Sequence, residues 1–228
     1  MAIRRDQAVQ GLLSLFDQPS YLEVGVSKGV TFHSVIAPRK VAVDPDFKFD
    51  LKVAKDTHPN AEYHEVTSDE YFGSIIGPDD KFHVIYLDGL HTSEQTLRDL
   101  FNAIFYLDEN GVILIDDVRP PTHLASIPDR NTFRQVRRYT GSQQKSWMGD
   151  VYRCIYFLDT FVQQMEHRTI LENHGQTIVW KKRRPQVDER TIRDVGEKSF
   201  ENLVNEQQIF RLASFQKILD EIKLGMGV

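Results

Sequence analysis

The sequence has a single cysteine, Cys154, in 228 residues. An internal disulfide is therefore impossible, and so is a zinc cluster built from Cys ligands. The chain also lacks a basic excess: 28 Lys and Arg stand against 33 Asp and Glu, for a net charge of −5. That balance argues against a dedicated nucleic-acid binder, which needs a basic face to neutralise phosphates, and leaves room for a local basic patch. No apolar run approaches the length of a membrane span, so no membrane partner is expected. The arginines at positions 4 and 5 are not followed by an apolar stretch, so no secretory leader is expected and the expected location is cytoplasmic. There is no Gly-x-Gly-x-x-Gly motif, no internal repeat and no low-complexity tract.

What is present is a real core, with 40% hydrophobic residues. Residues 4–16 place Val9, Leu12, Leu13 and Phe16 on one helical face. Apolar strands are expected at Tyr21–Val26, Lys40–Val43, Ala61–Val66, Phe82–Leu87 and Gly111–Ile115, with helical stretches between them. Thr92-x-x-Gln95 is a capping-box signal. The helix after it carries Leu97, Leu100, Phe101, Ile104 and Leu107, with Asn110-Gly111 as its stop. Alternating strands and helices mean parallel βαβ units with right-handed crossovers, hence a Rossmann-like, doubly wound α/β sheet. Residues 168–182 read as an antiparallel hairpin at the sheet edge. Lys181–Arg190 reads as a charged linker, and residues 198–223 as a long amphipathic extension. The expected organisation is a domain over residues 1–185 and a linker with helix over 186–228. The extension suits packing on its own core, a lid, or a homodimer contact.

In such sheets ligands bind beyond the carboxyl ends of the strands. The first strand ends Glu23-Val-Gly25-Val-Ser27-Lys-Gly29. Its Glu-x-Gly-x-x-x-Gly spacing is not that of dinucleotide binders, whose pyrophosphate needs tight access to a helix N-terminus. It suits a ligand without phosphate, such as S-adenosylmethionine. Asp44 closes the second strand, where ribose hydroxyls are held. Thr67-Ser68-Asp69 follows the third, where a carboxylate can accept from an adenine amine. The same residues also suit a plain strand–helix turn and a turn at Asp44-Pro45.

Asp88 ends the fourth strand in Leu-Asp-Gly-Leu-His, and Asp116 and Asp117 end the fifth. Neighbouring strands lie about 4.8 Å apart, so these carboxylates crowd one edge. Like charges that close need a cation, and a hard divalent ion such as magnesium is the natural one. Capping of a following helix is the other use of an Asp there. Histidine titrates near neutrality, so His91 suits a general base, or it packs as a bystander. Arg130, Arg134, Arg137 and Arg138 suit a solvated helix face or an anionic acceptor. Trp147 and Tyr152 suit stacking on a sugar or ordinary packing.

The segments YLEVGVSKG, VAVDPDF, TSDEYF, VIYLDGLHTSEQTLRDL and GVILIDDV, with Trp147-Met-Gly-Asp-Val-Tyr152, resemble class I S-adenosylmethionine-dependent methyltransferases. Over residues 20–155 the chain is most similar to a branch that includes bacterial sugar and macrolide O-methyltransferases and cephalosporin-hydroxylase-like proteins. The resemblance implies a cofactor site of Glu23, Gly25, Ser27, Gly29, Asp44, Ser68, Asp69 and Asp88. Within it, Glu23, Gly25 and Gly29 would line the methionine end, Asp44 would hold the ribose and Asp69 would read the adenine. It implies a divalent metal on Asp88, Asp116 and Asp117, and catalysis by His91 and Asp88. The implied reaction is O-methylation of a hydroxyl on a sugar, glycan or natural product. The other readings are a nicotinamide-dependent oxidoreductase, a hydroxylase- or lyase-like activity, or a non-catalytic cofactor-binding module on the same fold.

Overall fold

In the computed structural model, residues 2–185 and 189–227 are described; residues 186–188, where the expected linker begins, lie outside the described residues. In chain order the elements are α1 (Arg5–Leu13), β1 (Ser20–Val24), α2 (Val30–Ser34), β2 (Arg39–Val43), α3 (Leu51–Thr57) and β3 (Ala61–His64). There follow α4 (Ser68–Glu70), a π-turn (Tyr71–Ile75), β4 (Phe82–Leu87), α5 (Ser93–Tyr106), β5 (Leu107–Ile115), α6 (Arg130–Thr140) and α7 (Arg153–Phe161). The chain ends with β6 (Met165–Thr169), β7 (Thr177–Lys181), α8 (Ile192–Gly196), α9 (Phe200–Asn205), a 3-10 turn (Gln207–Phe210) and α10 (Phe215–Met226).

The strands form one seven-stranded sheet in the order β3-β2-β1-β4-β5-β7-β6. Strands β1 to β5 pair in parallel, and β7 runs antiparallel to both β5 and β6. Both faces are covered, which is why the central strands read as continuous apolar runs rather than alternating ones. Leu22, Ile85, Ile113 and Ile115 face one core; Tyr21, Val84, Val112 and Leu114 face the other. The strand order reverses between β1 and β4, and this switch point is where an open α/β sheet offers a ligand crevice.

Several boundaries shift by one to three residues, such as α1, β1 and β3, and two larger departures have a cause in the packing. Helix α5 stops at Tyr106, and Leu107 already pairs with Phe82 as a strand residue. The register then slips to Val84 opposite Val112, and Gly111 makes room for the irregularity: a side chain there would meet the Phe82 carbonyl at 2.9 Å. The C-terminal pattern is not one long helix. Arg211 adopts a left-handed turn (φ 48°), and Ala213 bridges to Ile170 beside β6. Residues beyond it restart as α10, with the Ser214 hydroxyl accepting from Lys217 N. Phe210 enters one core, and Phe215, Ile218 and Ile222 enter the other, so this segment packs on its own domain.

The linker reading of Lys181–Arg190 also changes. Lys181 belongs to β7, and Arg184 is only 2% exposed. Its guanidinium donates to Asp159 Oδ1 at 2.7 Å and to the Met165 carbonyl at 2.7 Å. A buried guanidinium needs such partners, and here they anchor the segment to α7 and β6.

Candidate active site

The loops after β1, β2, β3 and β4 enclose a cavity of about 580 Å³ whose lining includes Gly25, Ser27, Asp44, Ser68, Asp69, Asp88 and His91. Gly25 takes φ +90°, and a Cβ there would lie 1.9 Å from the Asp88 carbonyl oxygen. Only glycine lets the β1 and β4 loops approach this closely. The Ser27 amide donates to Asp44 Oδ2 and the Asp46 amide to Asp44 Oδ1, both at 2.8 Å. Asp44 thus shapes the loop and still borders the cavity. Gln95 on α5 donates to the Ser68 hydroxyl at 3.2 Å and to Asp69 Oδ1 at 3.0 Å, which ties the β3 loop to α5.

Two expected cofactor residues lie elsewhere. Gly29 is the left-handed N-cap of α2 and is absent from this lining; a Cβ there would meet the His33 ring at 2.5 Å. Its glycine requirement is thus explained by the turn and by His33. Glu23 opens on an adjoining cleft that shares Arg5, Gly25, Ser27 and Asp88 with the main cavity. It accepts from the Tyr21 hydroxyl at 2.5 Å, and burial pushes its carboxyl up to about 8 despite that hydrogen bond and the positive charge of Lys40.

The carboxylates do not gather as the expected trio. Asp116 is fully engaged. Its Oδ2 accepts from Arg5 Nε and from the Tyr86 hydroxyl, the latter at 2.5 Å. Its Oδ1 accepts from His174 Nε2 at 2.7 Å and from the Asp117 amide at 2.9 Å. Burial pushes Asp116 upward, but His174 and Arg5 outweigh it and hold the carboxyl at about 2. The potential ligand atoms form two overlapping groups within 4.8 Å: Asp88, His91 and Asp117, and separately Asp116, Asp117 and His174. Asp117 belongs to both because it turns left-handed (φ 59°) at the end of β5, which breaks the alternation of the strand.

Burial and the charge of Asp116 push Asp117 up to about 6. Burial together with Asp116 and Asp117 pushes Asp88 well above the carboxylate range. Both carboxyls therefore hold a proton more readily than a free aspartate does, while Arg5 and His174 bond directly to Asp116. Arg5 and His174 drew no functional notice in the sequence. The crowded acidic edge could have pointed to an internal cation, but nothing local marked residue 5 as its source.

His91 is held from several sides. Its Nδ1 lies 2.8 Å from the Trp147 carbonyl oxygen and 3.1 Å from Asp117 Oδ2. A carbonyl and a carboxylate only accept, so Nδ1 carries the proton and Nε2 the lone pair. Nε2 stands 3.7 Å from Asp88 Oδ1. A lone pair facing a carboxylate leaves a place for a proton or a cation between them. The Trp147 indole donates to the Ile127 carbonyl at 2.7 Å. Gly149 passes so close to the His91 carbonyl that a Cβ would sit 1.7 Å from it. Asp150 accepts from the Ser93 amide at 2.7 Å and from its hydroxyl at 3.0 Å, tying the same segment to the start of α5. Tyr152, by contrast, is buried with its hydroxyl donating to the Lys198 carbonyl at 2.9 Å, so it is a packing residue rather than a sugar platform.

Residues 22–118 match the family model of a methyltransferase domain. No curated protein matches the chain. Among solved structures, the chain is similar to a Staphylococcus aureus protein provisionally assigned as a caffeoyl-CoA O-methyltransferase. That match has a TM-score of 0.54 and 12% identity over 80% of this chain and 86% of that one. It is also similar to a Bacillus cereus O-methyltransferase in complex with S-adenosylhomocysteine, at TM-score 0.51 and 14% identity over 79% and 82% of the two chains. A third is TomG from Streptomyces achromogenes, an O-methyltransferase of tomaymycin synthesis in complex with S-adenosylmethionine, at 0.51 and 13% over 79% and 82%. At these identities the likeness is one of fold.

Proposed function

We propose that this chain, a class I S-adenosylmethionine-dependent methyltransferase by fold and by its methyltransferase-domain core, carries the methyl group to a hydroxyl oxygen, with a sugar or glycan-type small molecule as acceptor. The observation that carries the oxygen assignment is the His91 arrangement: Nδ1 pinned by Trp147 and Asp117, Nε2 free and turned toward Asp88.

The cavity fits the cofactor. Asp44 and Asp69 line it as acceptors for ribose hydroxyls and an adenine amine, and Asp88, after β4, suits a cationic centre. The Glu23 cleft next door supplies polar walls for the amino-acid tail. When bound, S-adenosylmethionine supplies an electrophilic methyl on a positively charged sulfur. The protein's part is alignment and proton removal. His91 Nε2 takes the hydroxyl proton, and the Asp117 carboxylate at Nδ1 stabilises the imidazolium that results, as the orienting carboxylate of a catalytic triad does. Trp147 fixes the ring plane. The Gly25 contact keeps the β1 and β4 loops in one frame, so cofactor and base hold their separation.

A second reading gives the Asp88, His91 and Asp117 atoms to a divalent cation, favoured by their mutual approach within 4.8 Å. Two carboxylates and an imidazole fit magnesium or manganese in part; Asp116 is closed to that role by its four donors. When bound, such an ion supplies a Lewis acid that lowers the pKa of a hydroxyl. The two readings differ in what His91 does. The deciding experiment is methyl transfer across sugars, nucleotide sugars and glycans, with magnesium and with a chelator. Turnover that survives chelation assigns proton removal to His91; turnover lost to chelator and restored by magnesium assigns His91 to the metal. No transfer to any hydroxyl under either condition would overturn the oxygen assignment.

A further inference from the structure

Helix α6 concentrates positive charge in an otherwise acidic chain. Helix α6 holds Arg130, Arg134 and Arg138 at successive i, i+4 positions, so the three lie along one face over about 12 Å. Arg137 is adjacent but has a local role, donating to the Ser142 carbonyl at 3.4 Å where the helix ends. Arg130, Arg134 and Arg138 form no ion pair with a carboxylate among the described residues, in a protein whose net charge is −5. Elsewhere on the surface, arginines pair readily: Arg39 with Glu62 and Asp80, Arg98 with Glu94, Arg193 with Glu197.

Position gives the stripe its meaning. At its near end Arg130 lines the main cavity, and its guanidinium stands 5.3 Å from the centre of the Trp147 ring, the ring that stacks on His91. At its far end Arg134, Arg137 and Arg138 border a second concavity of about 370 Å³, closed by Gly141, Ser142 and Gln143. Guanidinium groups offer forked donors that match phosphate oxygens, and several facing one hollow favour a group with more than one negative charge. A single helix therefore joins the main cavity to an arginine-lined hollow.

We propose that the Arg130–Arg134–Arg138 stripe holds a phosphate or diphosphate group of the methyl acceptor, whose hydroxyl end reaches past Trp147 to His91. This rests on the methyltransferase reading above and narrows the acceptor to a phosphorylated small molecule, such as a nucleotide-linked sugar. Anions are drawn to this face against the overall sign of the chain, so binding falls steeply with salt.

The test titrates inorganic pyrophosphate into the intact chain by calorimetry, saturated with S-adenosylhomocysteine, at low and high salt. Arg134 and Arg138 are exposed, so the double variant Arg134→Ala/Arg138→Ala keeps the core intact. Lys52→Ala/Lys55→Ala on α3 removes the same charge at a remote exposed site. Pyrophosphate should bind the parent chain, lose at least tenfold in affinity in the arginine variant, and bind the lysine control unchanged. Absence of binding, or equal loss in both variants, would overturn the proposal. So would a single-stranded RNA oligomer that needs the stripe while pyrophosphate ignores it. Affinity for S-adenosylhomocysteine is measured alongside. Its absence in the parent chain counts against the methyltransferase reading, while the pyrophosphate comparison judges the stripe by itself.

Discussion

The His91 imidazole lies almost flat against the Trp147 indole, with ring centroids 4.8 Å apart and an interplanar angle of 15°. The same tryptophan receives the His91 Nδ1 proton on its backbone carbonyl. One residue thus sets both the ring plane and the tautomer of the proposed base, and the backbone contact survives any substitution of the side chain. Trp147→Phe, which keeps a stacking ring, should retain most of kcat. Trp147→Ala should lower kcat about tenfold with little change in cofactor affinity, because misplacing a positioned group costs rate before it costs binding. Equal kcat in the two variants would show that the ring does not position the histidine.

His91→Ala removes the proton acceptor itself. A positioned general base contributes about 10²–10⁴ in rate, so kcat should fall at least about 10²-fold while the Kd for S-adenosylhomocysteine moves little. Losses of similar size in both quantities would make His91 structural.

Arg5 reaches from α1 to Asp116 and stands 3.7 Å from Asp117 Oδ1. Arg5→Ala leaves Asp116, whose side chain is 1% exposed, without its guanidinium partner, though His174 still bonds to Oδ1. Breaking a buried pair costs about 3–5 kcal/mol, and the partial exposure of Arg5 reduces this to about 1–3 kcal/mol. Urea unfolding reads the loss directly. Arg5→Lys should recover part of it, since an ammonium supplies the charge without the guanidinium fork.

His167 is buried in β6, with Nε2 donating to the Ile209 carbonyl at 3.1 Å and Nδ1 unpartnered. Burial lowers it to about 4, with Arg184 and Arg211 adding to the effect and the Ile209 hydrogen bond and Asp159 opposing it. The unfolded chain takes the proton near pH 6.5 and the folded one only near 4. Its contribution to stability is therefore complete above pH 6.5, is lost as the pH falls toward 4, and amounts to about 3 kcal/mol. Glu23 and Asp117, both raised, act in the opposite sense over part of this range. The His167 share is read as the difference in unfolding free energy between the parent and His167→Asn across pH 4–7. A difference that does not change with pH would contradict it.

Much of the fold was legible because strand ends and helix caps are local signals. The Phe82–Leu87 strand and the Thr92 cap each depend on residues close in sequence, and each stands where expected. The strand-end rule also brought Asp44, Asp69, Asp88 and His91 to one cavity. What was hidden is long-range. Arg5 and Asp116 are 111 positions apart, and His174 and Asp116 are 58 apart. Their pairing turns Asp116 from an open ligand into a satisfied anion, and no periodicity reports that. The C-terminal helix pattern misled for a related reason: residues 200–222 are amphipathic throughout, but they serve two cores on opposite faces of the sheet, so the chain has to break between Phe210 and Phe215 to reach both.

The methyl-donor site is the premise beneath every other assignment, and calorimetric titration of the intact chain with S-adenosylhomocysteine and, separately, with NAD tests it most directly. S-adenosylhomocysteine should bind at one site per chain and weaken at least about tenfold in Asp44→Asn, which replaces one acceptor oxygen by an amide donor, while NAD gives no heat. Saturable binding of NAD with none of S-adenosylhomocysteine would contradict the assignment.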